Sequence, residues 1–498
     1  MTHAMNRRLT TLFIVTLAGC PSSGCVYYNG IYNAQSTLQQ AEAARAEGRD
    51  LEAQASYAEA VEIAARSFRK EPEGPWADDA LYIMGRAWFR AGDLTRAVPA
   101  LRQALARAEE PGVRRGAALF LGAALAQLGD DDAALDLLNQ AMRGLRDDPL
   151  LADGHFWRGQ VHFARDEWEL GFWDLARAAE ADSRLRLPAS FERLRFGAGR
   201  GDTLTVQREL ELLFSSSEGS RYADGLLALG LDPASSREPT SVFSDPHFTL
   251  EALGAIRQAA WPPGPRARIA LARGRLAAQI GDSAQAWSDV LWVAEGSSPA
   301  AVEARAQLAR WQLTTVSSVS ELEAVRELLR PAAGMPEIVD LVRSLRRVEV
   351  LANLASQQDG ERLAGFAAAE TARDELGALR LARALFVSYI ESAPEGAADA
   401  AWVGKALLAI LATTPQPAGD PQLREQLASR MSDPYVATAR TGRVGAARVE
   451  QLEAELAGRL AALRSWAEGE VDRWDLALRG ENPDASASPN PTPRTRQP

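Results

Sequence analysis

Three glycines recur at a fixed interval along the chain, at Gly85, Gly122 and Gly159, 37 residues apart. Each lies in a stretch of helix-forming residues, and seven residues after it comes a turn position followed by a second helical stretch. No segment alternates apolar and polar residues for long enough to indicate a strand. A helix, a turn and a second helix repeated at a constant period indicate an array of helical hairpins. The sequence therefore predicts an all-α fold.

The residues around these glycines match a known repeat pattern, W-x2-L-G-x2-Y followed by A-x3-F. The matching positions are Leu81, Met84, Gly85, Trp88, Ala97 and Leu101 in one copy, and Ala118, Leu121, Gly122, Leu125, Ala134 and Leu138 in the next. The chain thus resembles tetratricopeptide repeat proteins. That resemblance implies a right-handed α-solenoid that holds partner proteins rather than catalysing a reaction.

The strength of the repeat divides the chain into segments. We predict a signal peptide over 1–19, an anchor and linker over 20–33, and a tetratricopeptide-like block over 34–182. The period is lost in an irregular helical segment over 183–264, which includes a proline-rich loop, and a degenerate repeat block follows over 265–413. Residues 414–479 are assigned to C-terminal helices, and residues 480–498 to a proline-rich tail of disordered composition.

The C-terminal helices include one long amphipathic element. Apolar residues from Val449 to Leu478 recur at steps of three and four, which average close to 3.6 residues. A coiled-coil seam keeps an average of 3.5. The spacing therefore favours a helix that lies along the last hairpins and caps the solenoid over a helix that dimerises.

The first twenty residues carry a secretion signal. Arg7 and Arg8 precede a short apolar run, which ends at Leu17-Ala18-Gly19-Cys20 and is too short to span a bilayer. This ending resembles a bacterial lipobox, which implies cleavage before Cys20 and lipidation of that residue. Cys25 also follows small residues and is an alternative site of lipidation. A further alternative is an ordinary secretory signal, with a disulfide between the two cysteines. The motif favours a lipid-anchored product in the cell envelope. The residue after Cys20 is Pro21 and not the aspartate that resembles an inner-membrane retention signal, which favours the outer membrane, facing the periplasm.

Composition and residue spacing argue against nucleic-acid binding, metal binding and catalysis. The net charge is −11 and lysine occurs only at Lys70 and Lys405, so the chain lacks the basic stripe of a nucleic-acid binder. His155 and His162 lie seven residues apart on one predicted helix face, but a pair lacks the ligand count of a metal site. No spacing singles out catalytic residues or a cofactor motif. We therefore predict a non-enzymatic protein without metal or cofactor.

The resemblance also implies where a partner would bind, because ligands of this family usually lie in the concave groove lined by the first helix of each hairpin. Carrying that face onto three hairpins selects a set rich in aromatic residues: Tyr82, Arg86, Phe89, Arg90, Phe120, Gln127, Phe156, Trp157, Gln160 and Phe163. Such a groove suits a peptide segment with apolar anchors. The alternative is that several of these rings are buried against the irregular middle segment or the terminal helix.

A lipid anchor, a short linker and tandem hairpins resemble the tetratricopeptide lipoprotein subunit of the outer-membrane barrel-assembly machinery, although this chain is much longer. The predicted function is a membrane-anchored scaffold for protein–protein interaction in the envelope. The alternatives are a periplasmic scaffold for polysaccharide export or pilus assembly and, as a minor one, a glycan-cleaving lipoprotein. The glycan-cleaving alternative would need a pair of carboxylates that no spacing in the sequence singles out.

Overall fold

A computed structural model describes residues 22–143, 150–231, 241–357, 361–392, 398–414, 421–442 and 446–478. Within these ranges the regular secondary structure is helical and no strand occurs. The predicted all-α fold is confirmed. The chain divides into two compact units, Met1–Leu276 and Ala277–Pro498. The sequence had placed the start of the second repeat block at residue 265, inside the first of these units.

The first unit begins with ten helices that form five consecutive hairpins, in which each pair of helices packs together. The helices are α1 Ser22–Ala46, α2 Asp50–Lys70, α3 Ala77–Arg90, α4 Leu94–Arg107, α5 Pro111–Gln127, α6 Asp131–Met142, α7 Leu150–Ala164, α8 Trp168–Ala181, α9 Arg186–Arg200 and α10 Thr203–Phe214. The first helix of each hairpin also packs against the first helix of the next, and this stacking is the solenoid arrangement expected from the repeat.

Four of the five hairpin turns contain a glycine with a left-handed backbone, for example Gly92 with φ 85° and Gly129 with φ 80°. The fourth turn has Asp166 at φ 59° instead. A left-handed residue ends a helix and reverses the chain, and glycine adopts this conformation without steric cost. Asp93 then accepts a hydrogen bond from the Arg96 amide and caps the start of α4.

A second set of glycines brings the two helices of a hairpin together. A Cβ on Gly85 would lie 2.6 Å from Leu101 Cγ, and one on Gly122 would lie 3.0 Å from Leu138 Cγ. In both pairs the leucine follows the glycine by sixteen residues, and Gly159 faces Leu175 with the same spacing. The repeat register predicted from the glycines is therefore the register of the packing.

The α9–α10 hairpin lies in the segment 183–264 that the sequence described as irregular. The position of the packing glycine, seven residues before the turn, is occupied there by Leu194, which is fully buried. The hairpin is regular although its glycine signature is lost. After it come the 3-10 helix Ser217–Tyr222, α11 Ala223–Leu226, the π-helical turn Leu227–Leu231, α12 Pro246–Ala252 and α13 Pro263–Gln279, whose last three residues belong to the second unit.

The second unit is also helical throughout the residues that the structure describes. Its helices are α14 Ser283–Ala294, α15 Pro299–Leu313, α16 Leu322–Leu329, α17 Pro336–Ser356, α18 Leu363–Asp374, α19 Leu379–Ser392, α20 Val403–Thr413, α21 Pro421–Ser429, α22 Pro434–Thr441 and α23 Ala446–Leu478. One continuous core runs through this unit and includes the fully buried rings of Phe366, Phe386 and Trp402.

The long helix α23 confirms the predicted C-terminal amphipathic helix. It packs against α17, α18 and α22, and its apolar face is buried at Leu452, Leu456 and Val471. Trp402 Nε1 donates a hydrogen bond to the Leu452 carbonyl at 3.2 Å. The helix therefore covers the preceding helices of its own unit, as the 3.6-residue spacing predicted.

Helix α1 begins at Ser22, inside the stretch 20–33 that the sequence assigned to an anchor and linker. The signal peptide, Cys20 and the tail 480–498 lie outside the described residues, and so does the part of the proline-rich loop before Ser241. No helix in the described part of the chain is long and apolar enough to cross a membrane.

Candidate functional site

A cavity of about 1190 Å³ lies against the first helices of the hairpins in the first unit. Its lining comes from α1, α2, α3, α7 and α9, from the residues that lead into α9, and from the 3-10 helix Ser217–Tyr222. Lining residues on the three hairpin helices include Gln35, Gln39, Glu42, Arg45, Tyr82, Arg86, Arg90, Asp153, Phe156, Trp157 and Gln160. The stacked hairpins therefore form a concave groove.

Two arginines on α3 form the floor of this groove. Arg86 donates to both carboxylate oxygens of Glu42 on α1, at 2.9 and 2.7 Å, and also to the Tyr82 hydroxyl at 3.2 Å. Arg90 donates to both oxygens of Asp153 on α7, at 2.8 and 3.0 Å. Side chains on the three first helices α1, α3 and α7 are thus tied by charge-assisted hydrogen bonds.

The same arginines cover the ring of Phe120 on α5. The guanidinium carbons of Arg86 and Arg90 lie 4.8 and 5.1 Å from its centroid. Phe120 is fully buried, whereas the arginine side chains keep 19% and 18% of their surface exposed. The floor that a ligand would meet here is therefore a pair of cations matched by two carboxylates, with the aromatic ring beneath them.

Burial raises the pKa of Tyr82, although Arg86 opposes this shift, so the hydroxyl stays neutral at physiological pH. Burial alone would lower the pKa of Arg86. The neighbouring Tyr82, Glu42 and Asp153 outweigh burial and raise that pKa above its ordinary value. The arginine accordingly remains charged, and its hydrogen bonds persist across the physiological pH range.

The structure brings six of the ten predicted groove residues into the cavity lining: Tyr82, Arg86, Arg90, Phe156, Trp157 and Gln160. Phe89, Phe120 and Phe163 are instead buried in the core, with 4%, 0% and 2% of their surface exposed. Phe89 packs edge-on against Trp157 at 5.3 Å, and Phe163 stacks on Phe196 at 4.1 Å. Gln127 is exposed outside the cavity lining.

The prediction placed those three phenylalanines on the groove surface, and their burial corrects it. Their large rings pack against rings on neighbouring helices, and Arg86 and Arg90 also cover Phe120. The alternative of burial against the irregular middle segment fits Phe163, which stacks on Phe196 of that segment. Phe89 and Phe120 are instead buried among the repeat hairpins themselves.

Several groove residues were missed from the sequence, above all those on α1. Glu42 lies six residues before the turn glycine Gly48, just as Arg86 lies six residues before Gly92. Carrying the repeat register back to the first hairpin would therefore have found Glu42. No comparable signal exists for Glu218 and Arg221, which reach the cavity from a 3-10 helix outside the hairpins.

Arg221 closes one edge of the cavity. It donates to the carbonyls of Arg45 and Ala46 at the end of α1, at 3.0 and 3.4 Å, and lies 3.6 Å from the Asp50 carboxylate. The last carbonyls of a helix have no partner within the helix, and a cation there also compensates the helix dipole. The 3-10 helix is thus attached to the first hairpin across 175 residues of sequence.

His155 and His162 are held by carboxylates of their own hairpin. The Asp174 carboxylate, which is 1% exposed, accepts hydrogen bonds from Arg158 at 2.7 and 2.8 Å and bonds His155 Nδ1 at 2.6 Å. His162 Nδ1 lies 2.6 Å from a Glu167 oxygen. Burial opposes ionisation of Asp174, but these hydrogen bonds outweigh it and hold its pKa below the usual range. The described residues contain no group of His, Cys, Asp and Glu suited to a metal ion.

The fold is tetratricopeptide-like. No family model matches the chain and no curated protein matches it in sequence. Among solved structures, the chain is similar to the crystal structure of a tetratricopeptide repeat protein from Parabacteroides merdae, with 15% sequence identity and a TM-score of 0.31. The match covers 60% of this chain and 97% of that one. The fold assignment rests on the hairpins, turns and glycine contacts of this chain and not on that match.

Proposed function

We propose that this chain is a protein-binding scaffold whose first unit holds a segment of a partner in its concave groove. The observation that carries the proposal is the cavity itself, which is lined by the first helices α1, α3, α7 and α9 of the stacked hairpins. Solenoids of this kind use such concave surfaces to bind other proteins. The size of the cavity also favours a protein ligand over a small molecule, because its volume exceeds the usual range of about 300–1,000 Å³ for small-molecule pockets.

The groove wall opposite α1 supplies apolar contacts for such a segment. Phe156 on α7 and Leu187 and Pro188 on α9 are half-buried and line the cavity. A partner side chain packed among them would lose most of its contact with water, which is the environment of a binding hot spot.

The finer proposal is that the scaffold is a lipoprotein of the bacterial envelope, anchored through Cys20, and that it acts in outer-membrane protein assembly. Its support is the lipobox-like ending of the apolar N-terminal run and the resemblance to envelope lipoproteins with the same repeats. Several acyl chains on one cysteine would give stable anchoring where a single chain would not.

The groove is tested by Phe156→Ala, with Trp173→Ala as a matched control. Trp173 is half-exposed on α8 and does not line the cavity. A partner is first identified by crosslinking in intact cells, and its affinity for each purified variant is then measured. We expect Phe156→Ala to weaken binding about 30-fold, corresponding to about 2 kcal/mol for one aromatic anchor, and Trp173→Ala to leave it unchanged. Equal affinities for the two variants would place the binding surface outside the groove.

A further inference from the structure

A second cavity, of about 640 Å³, lies between α8, α9 and α10. Arg186 and Arg193 line it from one face of α9, because residues seven apart are separated by almost two full helical turns. The residues of α9 that line the concave groove lie together on the opposite face, and they are Leu187, Pro188 and Glu192. The second cavity is therefore separate from the groove. Its volume lies within the usual range for small-molecule pockets.

Two cations in this lining have no partner. Arg186 and Arg208 are exposed, and their side chains make no hydrogen bond or ion pair within the described residues. Arg186 is also the first residue of α9, where the positive end of the helix dipole disfavours a cation. Guanidinium groups bind carboxylates through paired hydrogen bonds. Two uncompensated arginines on one cavity therefore indicate a site for an anionic group.

A buried carboxylate in the same lining has one oxygen without a partner. Glu209 on α10 is 2% exposed, and its Oε1 atom lies 2.6 Å from Arg193 Nη2. Its Oε2 atom accepts no hydrogen bond within the described part of the chain. A buried acceptor without a donor costs free energy, which an N–H group of a ligand would recover. The terminal torsion of a glutamate is broad, so a small rotation presents this oxygen to the cavity.

Glu211 adds a second acceptor beside Glu209. It lies on the same face of α10 as Arg208, three residues later, and its exposed carboxylate has no ion pair among the described residues. The remaining acidic residue of the lining, Glu180, is already paired with Arg177 at 3.0 Å. The unmatched groups of the cavity are thus of both signs. A ligand that matches them carries an anion and an amine.

Apolar side chains complete much of the lining. Ala176 and Ala179 on α8 and Leu212 on α10 are half-buried there. An apolar side chain packed against them would be removed from water, which is favourable in proportion to the area buried. The lining therefore suits a ligand with an aliphatic side chain as well as two opposite charges.

We propose that this cavity binds an amino acid with an aliphatic side chain, either free or as a dipeptide. Its carboxylate is held by Arg186 and Arg208, its ammonium group by Glu209 and Glu211, and its side chain packs against Leu212. The site lies outside the concave groove, so this inference does not depend on the proposed function.

The probes are L-leucine and L-leucyl-L-leucine, titrated into the purified protein by calorimetry. The N-acetylated form of each probe keeps the carboxylate and loses the positive charge, and the amidated form does the reverse. We expect at least one of the two probes to bind, and its acetylated and amidated forms to bind at least about tenfold more weakly. The probe that binds more tightly distinguishes a free amino acid from a dipeptide as the ligand.

The double variant Arg186→Gln, Arg208→Gln removes both guanidinium groups and breaks no side-chain contact within the described residues. Its matched control is Arg66→Gln, Arg69→Gln on α2. Both control arginines are exposed, have no ion pair in the described part of the chain and line neither cavity. We expect the first variant to bind at least about tenfold more weakly and the control to bind within about twofold of wild type.

Glu211→Gln tests the amine side of the site. It should weaken binding of the probe but leave binding of the N-acetylated form unchanged, because acetylation has already removed the charge that this carboxylate meets. An equal loss of affinity for both forms would contradict the assigned orientation of the ligand.

Three results would overturn the proposal as a whole. If the acetylated or the amidated form binds as tightly as its parent, one of the two charges is not recognised. If the double arginine variant binds like wild type, the ligand lies elsewhere on the protein. If neither probe gives binding heat up to about 10 mM, the cavity is not a site for this class of ligand.

Discussion

The contact between Gly85 and Leu101 predicts that a single added methyl group destabilises the hairpin of α3 and α4. A Cβ at Gly85 would lie 2.6 and 2.8 Å from the Leu101 Cγ and Cδ2 atoms and 3.2 Å from its backbone nitrogen. Leu101 is fully buried, so its side chain has little room to move. Overpacking a core in this way costs about 1–3 kcal/mol.

The Gly85→Ala change also has a favourable part, because alanine is about 1 kcal/mol better than glycine inside a helix. Gly199→Ala isolates that part. Gly199 is exposed in α9, and a Cβ there would meet nothing within 4 Å. The helix propensity gain is shared by the two variants, so we expect Gly85→Ala to be about 1–3 kcal/mol less stable than Gly199→Ala.

Hydrogen exchange measured by mass spectrometry is the suitable assay, because a chain with two compact units need not unfold in a single transition. Peptides from α4 report the local stability of this hairpin. Their exchange should be roughly 5- to 150-fold faster in Gly85→Ala than in Gly199→Ala, which corresponds to about 1–3 kcal/mol. Exchange rates within about threefold of each other would refute the glycine–leucine register, since that gap is about 0.6 kcal/mol.

Two further predictions concern Cys20 and Asp79. Metabolic labelling with a fatty-acid analogue should mark the wild-type chain but not Cys20→Ala, and labelling that is lost only in Cys25→Ala would move the lipid to that residue. Burial raises the pKa of Asp79 to about 6, and the charges of Asp78 and Glu110 add to this shift. The Asp79 carboxyl therefore stabilises the fold most below about pH 4, and this contribution declines as the pH rises to about 6. Asp79→Asn should therefore slow hydrogen exchange in α3 at pH 7, after correction for intrinsic rates. The difference from wild type should vanish near pH 4. A difference that does not change with pH would contradict the raised pKa.

The fold could be predicted from the sequence at positions where the close approach of two helices requires glycine. Gly85, Gly122 and Gly159 mark close helix contacts, and their spacing gave the register of three hairpins correctly. The sequence predicts helices at α9 and α10 but not their place in the repeat, because Leu194 takes the glycine position there and the signature is lost while the packing is kept.

The groove was less predictable because exposure depends on neighbours that are distant in sequence. The repeat register correctly placed Phe120 on a first helix, but it could not show that Arg86 and Arg90 lie across the ring. Arg90 meets Asp153 across 63 residues, and Arg221 meets the end of α1 across 175. No local pattern encodes such contacts.

The ion pairs of the groove floor differ from the glycine contacts in one respect: they do not repeat. The glycine–leucine contacts of α3–α4 and α7–α8 would survive the insertion or loss of one whole 37-residue repeat between α4 and α7, because each is made within a single hairpin. The pair formed by Arg90 and Asp153 would not survive, since it joins α3 to α7 over the intervening α5. This pair, like the contact of Arg221 with the end of α1, therefore depends on the number and order of the hairpins. Changes in repeat number would thus alter the groove before they altered the stability of any hairpin.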